Sequence, residues 1–450
     1  MKRESTITVL GAGYVGLTSA VLFAHAGYKV YLVEPLEKRL KIIKSGKSFF
    51  YEKGINELLE PAINDKRLIP TDNYAVCIPE SDIVFSCVGT PDNPDGSSNL
   101  SYVFSAAEQT ATHAKPGLIY VQKSTVPVGT GEKIEQLFVE KKVDVSYVSN
   151  PEFLRESTAI NDTLYFDRVV AGGTNTKAVQ SVLDVYHQLE SRRDDIADLA
   201  GIDRVKQTGQ YIATTRNSAE LVKVASNAFL ALKISFANSI AKLADAADAD
   251  INQVMDAVGA DPRIGRAFLN AGRGYGGGCF PKDVSGLISS ALSYGVDLEI
   301  MQEAQNENDS MPGYIIGKLE NAINGSLEGK RIAVLGLAFK AGTSDVRKSP
   351  GIKMCNLLHN HGTIVTAYDP QANEEAREDL DKGVMLHGTI DSAIKDVDAI
   401  IIATDWPEFL HYPLDDYRSN HAIIFVDAVN RFSPTEVKTA GFTYIGVGRS

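Results

Sequence analysis

The sequence of 450 residues has few cysteines and no long apolar run, and both absences limit what the protein can be. Its four cysteines, Cys77, Cys87, Cys279 and Cys355, lie far apart without CxxC spacing. This pattern is typical of a reducing, cytoplasmic compartment and predicts neither a disulfide framework nor a zinc site. No run of 18 apolar residues occurs, so we expect no membrane span. Residues 1–4 are polar and lead directly into an apolar strand, so we expect no signal peptide.

Positive charge is also in deficit. The chain has 57 acidic against 45 basic residues, a net charge of −12. This balance argues against nucleic acid or an anionic membrane as the main partner, although a phosphate can still be held locally. The eight histidines form no HxxxH or HExxH pattern, so we expect no metal. Hydrophobic residues at 44% are sufficient for real cores, and the length predicts two or three domains.

A strand, a glycine turn and a helix near the start of the chain form the first functional pattern. Residues 7–16 read ITVLGAGYVG, and a second apolar strand ends at Glu34. The G-x-G-x-x-G spacing predicts a dinucleotide site, because Gly11 forms the turn, Gly13 admits the pyrophosphate and Gly16 permits close helix packing. Glu34 is placed to bind the adenosine ribose hydroxyls and would repel a 2′-phosphate, so we predict NAD rather than NADP. The predicted cofactor-binding residues here are Gly11, Gly13, Tyr14, Val15, Gly16, Glu34 and Arg39, although Arg39 could equally be an exposed helix residue.

Polar residues follow three later apolar strands. Thr90, Thr125, Glu152 and Glu156 stand where these strands end. Ligands of doubly wound sheets bind beyond the carboxyl ends of the strands, so we predict that the four residues line one site. Each alone could be a turn or capping residue. The charged, weakly periodic segment 190–215 is predicted to be a surface loop with a short helix.

A long apolar helix is predicted over residues 217–247, which contain no glycine or proline. Its length suits a helix that joins two domains and carries a homodimer interface. Lys223 and Asn227 are one turn apart on one face of it, within an apolar stretch, and this placement predicts a substrate site. The alternative is an exposed Glu220–Lys223 pair with Asn227 in solvent.

The densest glycine stretch, residues 272–278, leads into Cys279. Glycine lets a ligand approach the backbone, and we expect so dense a run to do more than pack. Pro281 suits the first turn of a helix, so Cys279 is predicted to lie just before a helix N-terminus. The helix dipole and Lys282 would favour a thiolate there. The alternative is a turn with a buried, structural cysteine.

The strand–turn pattern is repeated later in the chain. Val-Leu-Gly at 334–336 and Asp-Pro at 369–370 repeat Val-Leu-Gly at 9–11 and Glu-Pro at 34–35, but without G-x-G-x-x-G. We therefore predict a second Rossmann-like domain that is not a second dinucleotide site. Lys340, Arg347 and Arg431 are candidate phosphate ligands of this domain, or simply exposed charges.

The predicted fold class is α/β, with two Rossmann-like doubly wound domains joined by a long central helix. The predicted domains are an NAD-binding domain at residues 1–212, a central helical dimerisation and catalytic region at 213–310, and a C-terminal Rossmann-like domain of nucleotide-binding size at 311–450.

Long motifs resemble the UDP-glucose/GDP-mannose dehydrogenase family over nearly the whole chain. They include VLGAGYVG at 9–16, KSTVPVGT at 123–130, NPEFLRES at 150–157, DPRIGRAFLNAGRGYGGGCFPKD at 261–283 and LGLAFKAGTSDVRKSP at 335–350. The resemblance implies oxidation of the sugar C6 alcohol to a carboxylate with two equivalents of NAD⁺. CFPKD is more similar to the UDP-glucose branch than to relatives that use GDP-mannose or a UDP-N-acetylhexosamine. A two-electron β-hydroxyacid dehydrogenase and a non-catalytic NAD-sensing protein are further alternatives.

The resemblance also implies roles for particular residues. Cys279 would be the nucleophile that carries a thiohemiacetal and then a thioester. Lys223 and Asn227 would hold the oxyanion. Asp283 and Thr125 would order a water, with Glu152 in acid–base work. The implied or predicted substrate-binding residues are Glu152, Phe153, Leu154, Arg155, Lys223, Asn227, Arg263, Phe268, Leu269, Asn270, Ala271, Gly272, Gly276, Lys340 and Arg431. Further NAD contacts are assigned to Thr90, Thr125, Glu156, Lys282 and Arg347. Asn99, Gly278 and Lys348 depart from the family pattern without removing a catalytic group.

Overall fold

The computed structural model describes residues 5–418 and 422–449. The polar start at residues 1–4, which underlies the prediction of no signal peptide, lies outside them. The chain forms two compact units, Met1–Ser226 and Asn227–Ser450. The three-part division made from the sequence stays a prediction.

The first unit is built on a sheet of eight strands in the order β3-β2-β1-β4-β5-β6-β7-β8, whose first six strands have the Rossmann order. Its strands are β1 (Thr6–Leu10), β2 (Lys29–Val33), β3 (Leu68–Thr71), β4 (Ile83–Ser86), β5 (Leu118–Gln122), β6 (Val145–Ser149), β7 (Arg168–Gly172) and β8 (Gln210–Thr214). Its helices are α1 (Tyr14–His25), α2 (Glu37–Lys44), α3 (Ile55–Asn64), α4 (Tyr74–Cys77), α5 (Ser101–His113), α6 (Thr130–Glu140), α7 (Ala159–Leu164) and α8 (Thr176–Ala200). The pairs are parallel except β6 with β7. Side chains alternate between two buried clusters, with Val9 in one and Leu10 in the other, so the sheet is covered on both faces.

The prediction for segment 190–215 holds for the loop at residues 202–209 and is wrong on either side of it. Residues up to Ala200 continue helix α8, and Gln210–Thr214 forms strand β8, parallel to β7. The helix persists because Ile196, Ala197 and Ala200 are buried at helical spacing while the acidic residues face solvent. Gly201 ends it in the left-handed conformation, with φ +63°.

A single long helix, α9 (Arg216–Ala247), begins in the first unit and ends in the second, as predicted. By length and composition it is the one helix in the described residues that could cross a membrane. Its most apolar window has a mean hydropathy of 1.2, and 44% of that window is buried inside the protein. Core helices of folded proteins meet the same criteria of length and composition, so the expectation of no membrane span stays a prediction.

The second unit contains a parallel sheet of six strands in the order β11-β10-β9-β12-β13-β14, again the Rossmann order. Its strands are β9 (Arg331–Leu335), β10 (Ile364–Tyr368), β11 (Met385–Leu386), β12 (Ala399–Ile402), β13 (Ile424–Asp427) and β14 (Thr443–Gly446). Its further helices are α10 (Ile251–Gly259), α11 (Phe280–Ser293), α12 (Glu299–Ile323), α13 (Pro350–Asn360), α14 (Asn373–Ala376), α15 (Ile390–Ala393), α16 (Pro407–His411), α17 (Leu414–Tyr417) and α18 (Pro434–Thr439). The predicted α/β class, with two Rossmann-like sheets and a long central helix, is confirmed.

The internal repeat predicted from the sequence is also a repeat of backbone geometry. Gly11 follows β1 with φ +91° and donates its N–H to Val33 O at 2.8 Å. Gly336 follows β9 with φ +111° and donates to Tyr368 O, also at 2.8 Å. A Cβ on Gly16 would lie 1.8 Å from Gly11 O, and one on Gly351 2.2 Å from Gly336 O. In both units a helix can approach the turn only where it presents glycine.

We expect Gly351→Ala to lower the urea midpoint of unfolding, with a loss of about 1–3 kcal/mol, because the added methyl would overlap a backbone oxygen. Gly317→Ala in α12 is the matched control, since nothing lies within 4 Å of its added Cβ. It should be neutral or stabilising by up to about 1 kcal/mol, because alanine favours helix. Equal midpoints for Gly351→Ala and wild type would contradict this account of the turn.

Candidate active site

The turn after β1 has the geometry that a dinucleotide requires. A Cβ on Gly13 would have nothing within 4 Å, so the N-terminus of α1 is open to a ligand. Glu34 follows β2, is buried, and accepts the N–H of Leu36 at 2.9 Å. The residues present therefore fit NAD. The turn has no side chain that would block the pyrophosphate, and a carboxylate is fixed at the end of the neighbouring strand.

Two aromatic side chains beside this turn, Phe49 and Phe50, were not predicted from the sequence, whereas Tyr14 was. The rings of Tyr14 and Phe50 are 4.0 Å apart, and Phe49 packs edge-on against Phe50 at 5.1 Å. Arg39 is exposed, with its guanidinium 4.7 Å from the centre of the Phe49 ring. A cluster of aromatic rings beside an exposed guanidinium is a suitable neighbour for an adenine base. A Phe-Phe pair in a loop has no sequence signature that separates it from core packing.

Lys223 and Glu152 form a buried ion pair in the first unit. Lys223 Nζ lies 3.1 Å from Glu152 Oε1, and their side chains are 5% and 10% exposed. Glu152 Oε2 accepts the N–H of Leu154 at 2.8 Å, which fixes the carboxylate. The Phe153 ring lies under the Arg168 guanidinium at 3.8 Å and 5.6 Å from Lys223 Nζ. A cation held against a fixed carboxylate in a nearly dry setting can both stabilise a developing oxyanion and exchange a proton.

Glu220, one turn before Lys223 on α9, is a structural anchor. Its two carboxylate oxygens accept the N–H groups of Gly129 and Gly131, each at 2.8 Å, and Tyr147 Oη donates to it at 3.2 Å. Burial raises the pKa of the Glu220 carboxyl, and these hydrogen bonds oppose that shift. The alternative of an exposed Glu220–Lys223 pair is therefore wrong, because each side chain has its own buried partner.

Thr90 and Thr125 follow β4 and β5, which are neighbours in the sheet. Ser124 ties their two loops together by donating to Val88 O at 2.6 Å. Glu152 and Glu156 follow β6, the next strand, so the four predicted residues lie in loops at one edge of one sheet. The predicted substrate-binding residue Arg155 lies in the loop after β6, but its side chain is 68% exposed and pairs with Asp162 at 2.7 Å.

A second buried lysine at this edge was not recognised from the sequence. Lys123 is 4% exposed and donates to Tyr186 Oη at 2.8 Å, and that hydroxyl donates to Asn150 Oδ1 at 2.6 Å. Asn150 in turn donates to Val170 O at 2.7 Å. Burial acts to lower the pKa of Lys123, but Tyr186, Cys87 and Glu152 together outweigh it and the net shift is upward. This chain joins β5, β6, β7 and α8, and it holds the loops that carry Thr125 and Glu152.

In the second unit, Cys279 is the N-cap residue of α11 and is exposed. The prediction that it precedes a helix N-terminus is confirmed, and the alternative of a buried cysteine is wrong. Asp283, in the first turn of α11, is buried and accepts hydrogen bonds from Asn227 Nδ2 and Lys282 Nζ, each at 2.6 Å. The thiol thus lies at the positive end of a helix whose first turn is fixed by an amide, a carboxylate and an ammonium. Cys77, Cys87 and Cys355 are buried, as core residues should be.

The glycines before Cys279 pack tightly against neighbouring loops of the protein. The sequence did not reveal how close this contact is. An added Cβ would lie 2.7 Å from Ala428 O at Gly272 and 2.4 Å from Lys348 O at Gly276. At Gly277 it would meet the Phe339 ring at 2.8 Å, and at Gly278 the Arg347 guanidinium at 2.4 Å. The stretch therefore lies directly on the loops that follow β9 and β13.

In the predicted substrate loop at 268–272, some side chains are buried in the core and others are hydrogen-bonded within the protein. Phe268 has a φ of +67°, which a bulky residue adopts only when its surroundings enforce it. Leu269 and Ala271 lie in the hydrophobic core, so only their backbone is left for a ligand. Asn270 accepts a hydrogen bond from Arg266 at 2.8 Å. Arg263 has an 87% exposed side chain that pairs with Asp261.

The turn after β9 differs from its counterpart after β1. Asp369 Oδ2 accepts the N–H groups of Leu337 and Ala338 at 2.8 and 2.9 Å, and Trp406 Nε1 donates to the same oxygen at 3.0 Å. Those N–H groups are therefore engaged within the protein, which gives a physical reason why this turn does not repeat the dinucleotide site. Of the three basic candidates, Arg347 pairs with Asp345 at 2.5 Å, Arg431 pairs with Asp405 at 3.0 Å, and Lys340 Nζ lies 5.6 Å from the Phe339 ring.

Comparison with known proteins gives matches along the chain. Models of the UDP-glucose/GDP-mannose dehydrogenase family match residues 5–190 (NAD binding domain), 217–310 (central domain) and 333–434 (UDP binding domain). A UDP-glucose 6-dehydrogenase of Bacillus subtilis is 39% identical over 448 residues, which cover 98% of this chain and 93% of that protein. A solved UDP-glucose dehydrogenase from the archaeon Pyrobaculum islandicum is 35% identical with a TM-score of 0.87, over 100% of this chain and 98% of that one. A UDP-D-ManNAc dehydrogenase from Pyrococcus horikoshii is 28% identical with a TM-score of 0.85, over 99% of both chains.

We expect Glu220→Ala to lower the free energy of unfolding by about 3 kcal/mol, because two buried backbone N–H groups and a tyrosine hydroxyl lose their acceptor. The measurement is urea denaturation followed by circular dichroism. Glu37→Ala is the control, since that side chain is 80% exposed and only pairs with Lys41 along α2. A Glu220→Ala protein as stable as the Glu37→Ala protein would refute the anchoring role.

Proposed function

Because the chain belongs to the UDP-glucose/GDP-mannose dehydrogenase family, we propose that it oxidises UDP-glucose to UDP-glucuronate with NAD as electron acceptor. The observation that carries the proposal is Cys279, exposed at the N-terminus of α11. A two-electron dehydrogenase has no use for an exposed thiol in that position. A four-electron oxidation needs one to hold the intermediate acyl group.

The choice of UDP-glucose rests on the relatives named above. The proteins of Bacillus subtilis and Pyrobaculum islandicum, which carry that substrate in their names, are 39% and 35% identical to this chain. The N-acetylmannosamine relative is less similar at 28%. UDP-N-acetylhexosamines and GDP-mannose are therefore second candidates.

The proposed reaction consumes one water and two equivalents of NAD⁺ for each sugar. Gly11, Gly13 and Glu34 would hold NAD at the turn after β1, where it would supply a hydride acceptor for each oxidation. Between the two oxidations, Cys279 Sγ bonds to the aldehyde carbon and forms a thiohemiacetal. Its oxidation leaves a thioester on Cys279. Water then attacks the acyl carbon, the C–S bond breaks, and the carboxylate and the thiol are released. Both hydrides and the acyl group have an acceptor in this scheme, so we propose no role for a metal.

The buried pairs supply the remaining chemistry. The ammonium of Lys223 is a preorganised donor for the oxyanion, and Glu152 beside it is the group that accepts or returns a proton. Asp283 orients the amide of Asn227, which is the second proposed donor. We assign the ordering of the hydrolytic water to Asp283.

We propose a homodimer through α9. Phe229, Phe236 and Leu243 are 60%, 47% and 63% exposed at heptad spacing, which places them in one stripe along the helix. Large apolar side chains aligned in this way favour a partner surface, and the proposed partner is a second copy of this chain. We place the enzyme in the cytoplasm, where a catalytic thiol stays reduced.

We expect Cys279→Ser to abolish steady NADH release from UDP-glucose, because a serine hydroxyl at this position is a far weaker nucleophile than a thiolate. Cys355→Ala is the matched control and should keep its activity per folded molecule, since Cys355 is buried in the core of the second unit. Steady turnover to the acid by the serine variant would sink the thioester mechanism.

We expect kcat/KM to be at least about ten-fold higher with NAD⁺ than with NADP⁺, because the buried Glu34 carboxylate repels a 2′-phosphate. Glu34→Gln should narrow this ratio, whereas Glu37→Gln, on the exposed face of α2, should leave it unchanged. Equal kcat/KM values for the two cofactors in the wild-type enzyme would exclude the role given to Glu34.

A further inference from the structure

Arg273, within the glycine stretch, places a guanidinium beneath the turn after β9. It is 6% exposed. Its Nη2 donates to Phe339 O at 2.6 Å, its Nη1 to Ala338 O at 3.5 Å, and its backbone N–H to Ala428 O at 2.8 Å. The side chain therefore joins the glycine stretch to the two carbonyl groups that immediately precede Lys340.

The charge of this guanidinium is not neutralised locally. Burial lowers the pKa of Arg273 to about 10, so it remains a cation at neutral pH. Asp405 and Asp369 are the acidic groups that act on it, but Asp405 pairs with Arg431 and Asp369 accepts backbone and indole N–H groups. Within residues 5–418 and 422–449, no carboxylate lies within ion-pair distance of Arg273. A buried cation bonded only to neutral carbonyl groups is costly unless an anion comes close.

The two repeated turns differ in what they offer an anion. After β1, an added Cβ at Gly13 would have nothing within 4 Å, so the turn is open to a ligand. After β9, Asp369 already accepts the N–H groups of Leu337 and Ala338. Recognition of an anion at the turn after β9 must therefore rely on side chains. Lys340 follows directly on the carbonyl that Arg273 binds most closely.

We propose that Arg273 is a positioning residue for the diphosphate of the nucleotide sugar. It fixes the Ala338 and Phe339 carbonyls so that Lys340 is presented at the turn, and it adds a buried positive charge beneath the bound phosphates. The inference rests on the proposed function, because the diphosphate is that of the proposed substrate.

The test compares UDP with uridine as ligands of the full-length protein, by calorimetry for UDP and by competition with UDP for uridine. Arg273→Met should raise the Kd of UDP by about ten-fold, because it removes the positive charge and both hydrogen bonds from the guanidinium to the carbonyl groups. The Kd of uridine, which has no phosphate, and that of NAD should be unchanged. Arg377→Met is the control, since Arg377 is exposed and only pairs with Glu374.

A conservative variant and a double variant separate positioning from general stability. Arg273→Lys keeps the positive charge but cannot bond both carbonyl groups at once. It should raise the Kd of UDP by a smaller factor, about three-fold. In a Lys340→Met background, the added effect of Arg273→Met should shrink, because part of it acts through Lys340. If the methionine variant does not fold, the lysine variant carries the same comparison of UDP with uridine.

Equal losses of UDP and uridine affinity, or no loss of UDP affinity, would overturn the role of Arg273. The proposed function fails separately: a wild-type protein that binds UDP but does not oxidise UDP-glucose would refute the oxidation and leave the assignment of Arg273 intact.

Discussion

The glycine backbone at residues 276–278 packs directly on the loops of the second sheet. This contact determines where Cys279 lies. Any side chain at Gly276 or Gly277 would overlap a carbonyl group or a phenyl ring, and one at Gly278 would require the flexible Arg347 guanidinium to move. The backbone is therefore held on one side while the thiol that follows is exposed at the start of α11. Asp283, buried one turn further on, fixes that helix end through Asn227 and Lys282. A nucleophile needs such a combination of exposure and rigidity, because its attack is efficient only from a fixed position.

Both units contain a helix that packs on a turn through a glycine, but the two turns differ in whether a ligand can reach them. Gly16 against Gly11 and Gly351 against Gly336 give the two units one backbone geometry. After β1 the turn is open, with Glu34 fixed beside it, which suits a dinucleotide. After β9 the N–H groups of Leu337 and Ala338 are bonded to Asp369, which is why we propose charged side chains as the phosphate ligands there. The same backbone turn is thus open in one unit and closed by a carboxylate in the other.

Strands, turns and the long helix could be predicted because each depends on a local period or on glycine at a fixed spacing. The helix through residues 190–200 was missed because charges on its solvent face hid three buried positions. Glu220 with Gly129 and Gly131, Lys123 with Tyr186, and Arg273 with Phe339 were not predictable for another reason. Each pair joins residues far apart in sequence, and a buried charged side chain looks like an exposed one until its partner is known. Motif resemblance indicated Lys223, Glu152 and Asp283, but only the structure shows what each one is bonded to.

The central claim is that one sugar loses four electrons, the last two of them while its C6 carbon is bonded to Cys279. The most direct measurement is the yield of NADH when a limiting, known amount of UDP-glucose is consumed to completion with excess NAD⁺, with the sugar product identified by mass spectrometry. The account predicts two NADH for each UDP-glucose and UDP-glucuronate as the only sugar product. One NADH for each sugar, with an aldehyde or ketone as the product, would contradict it.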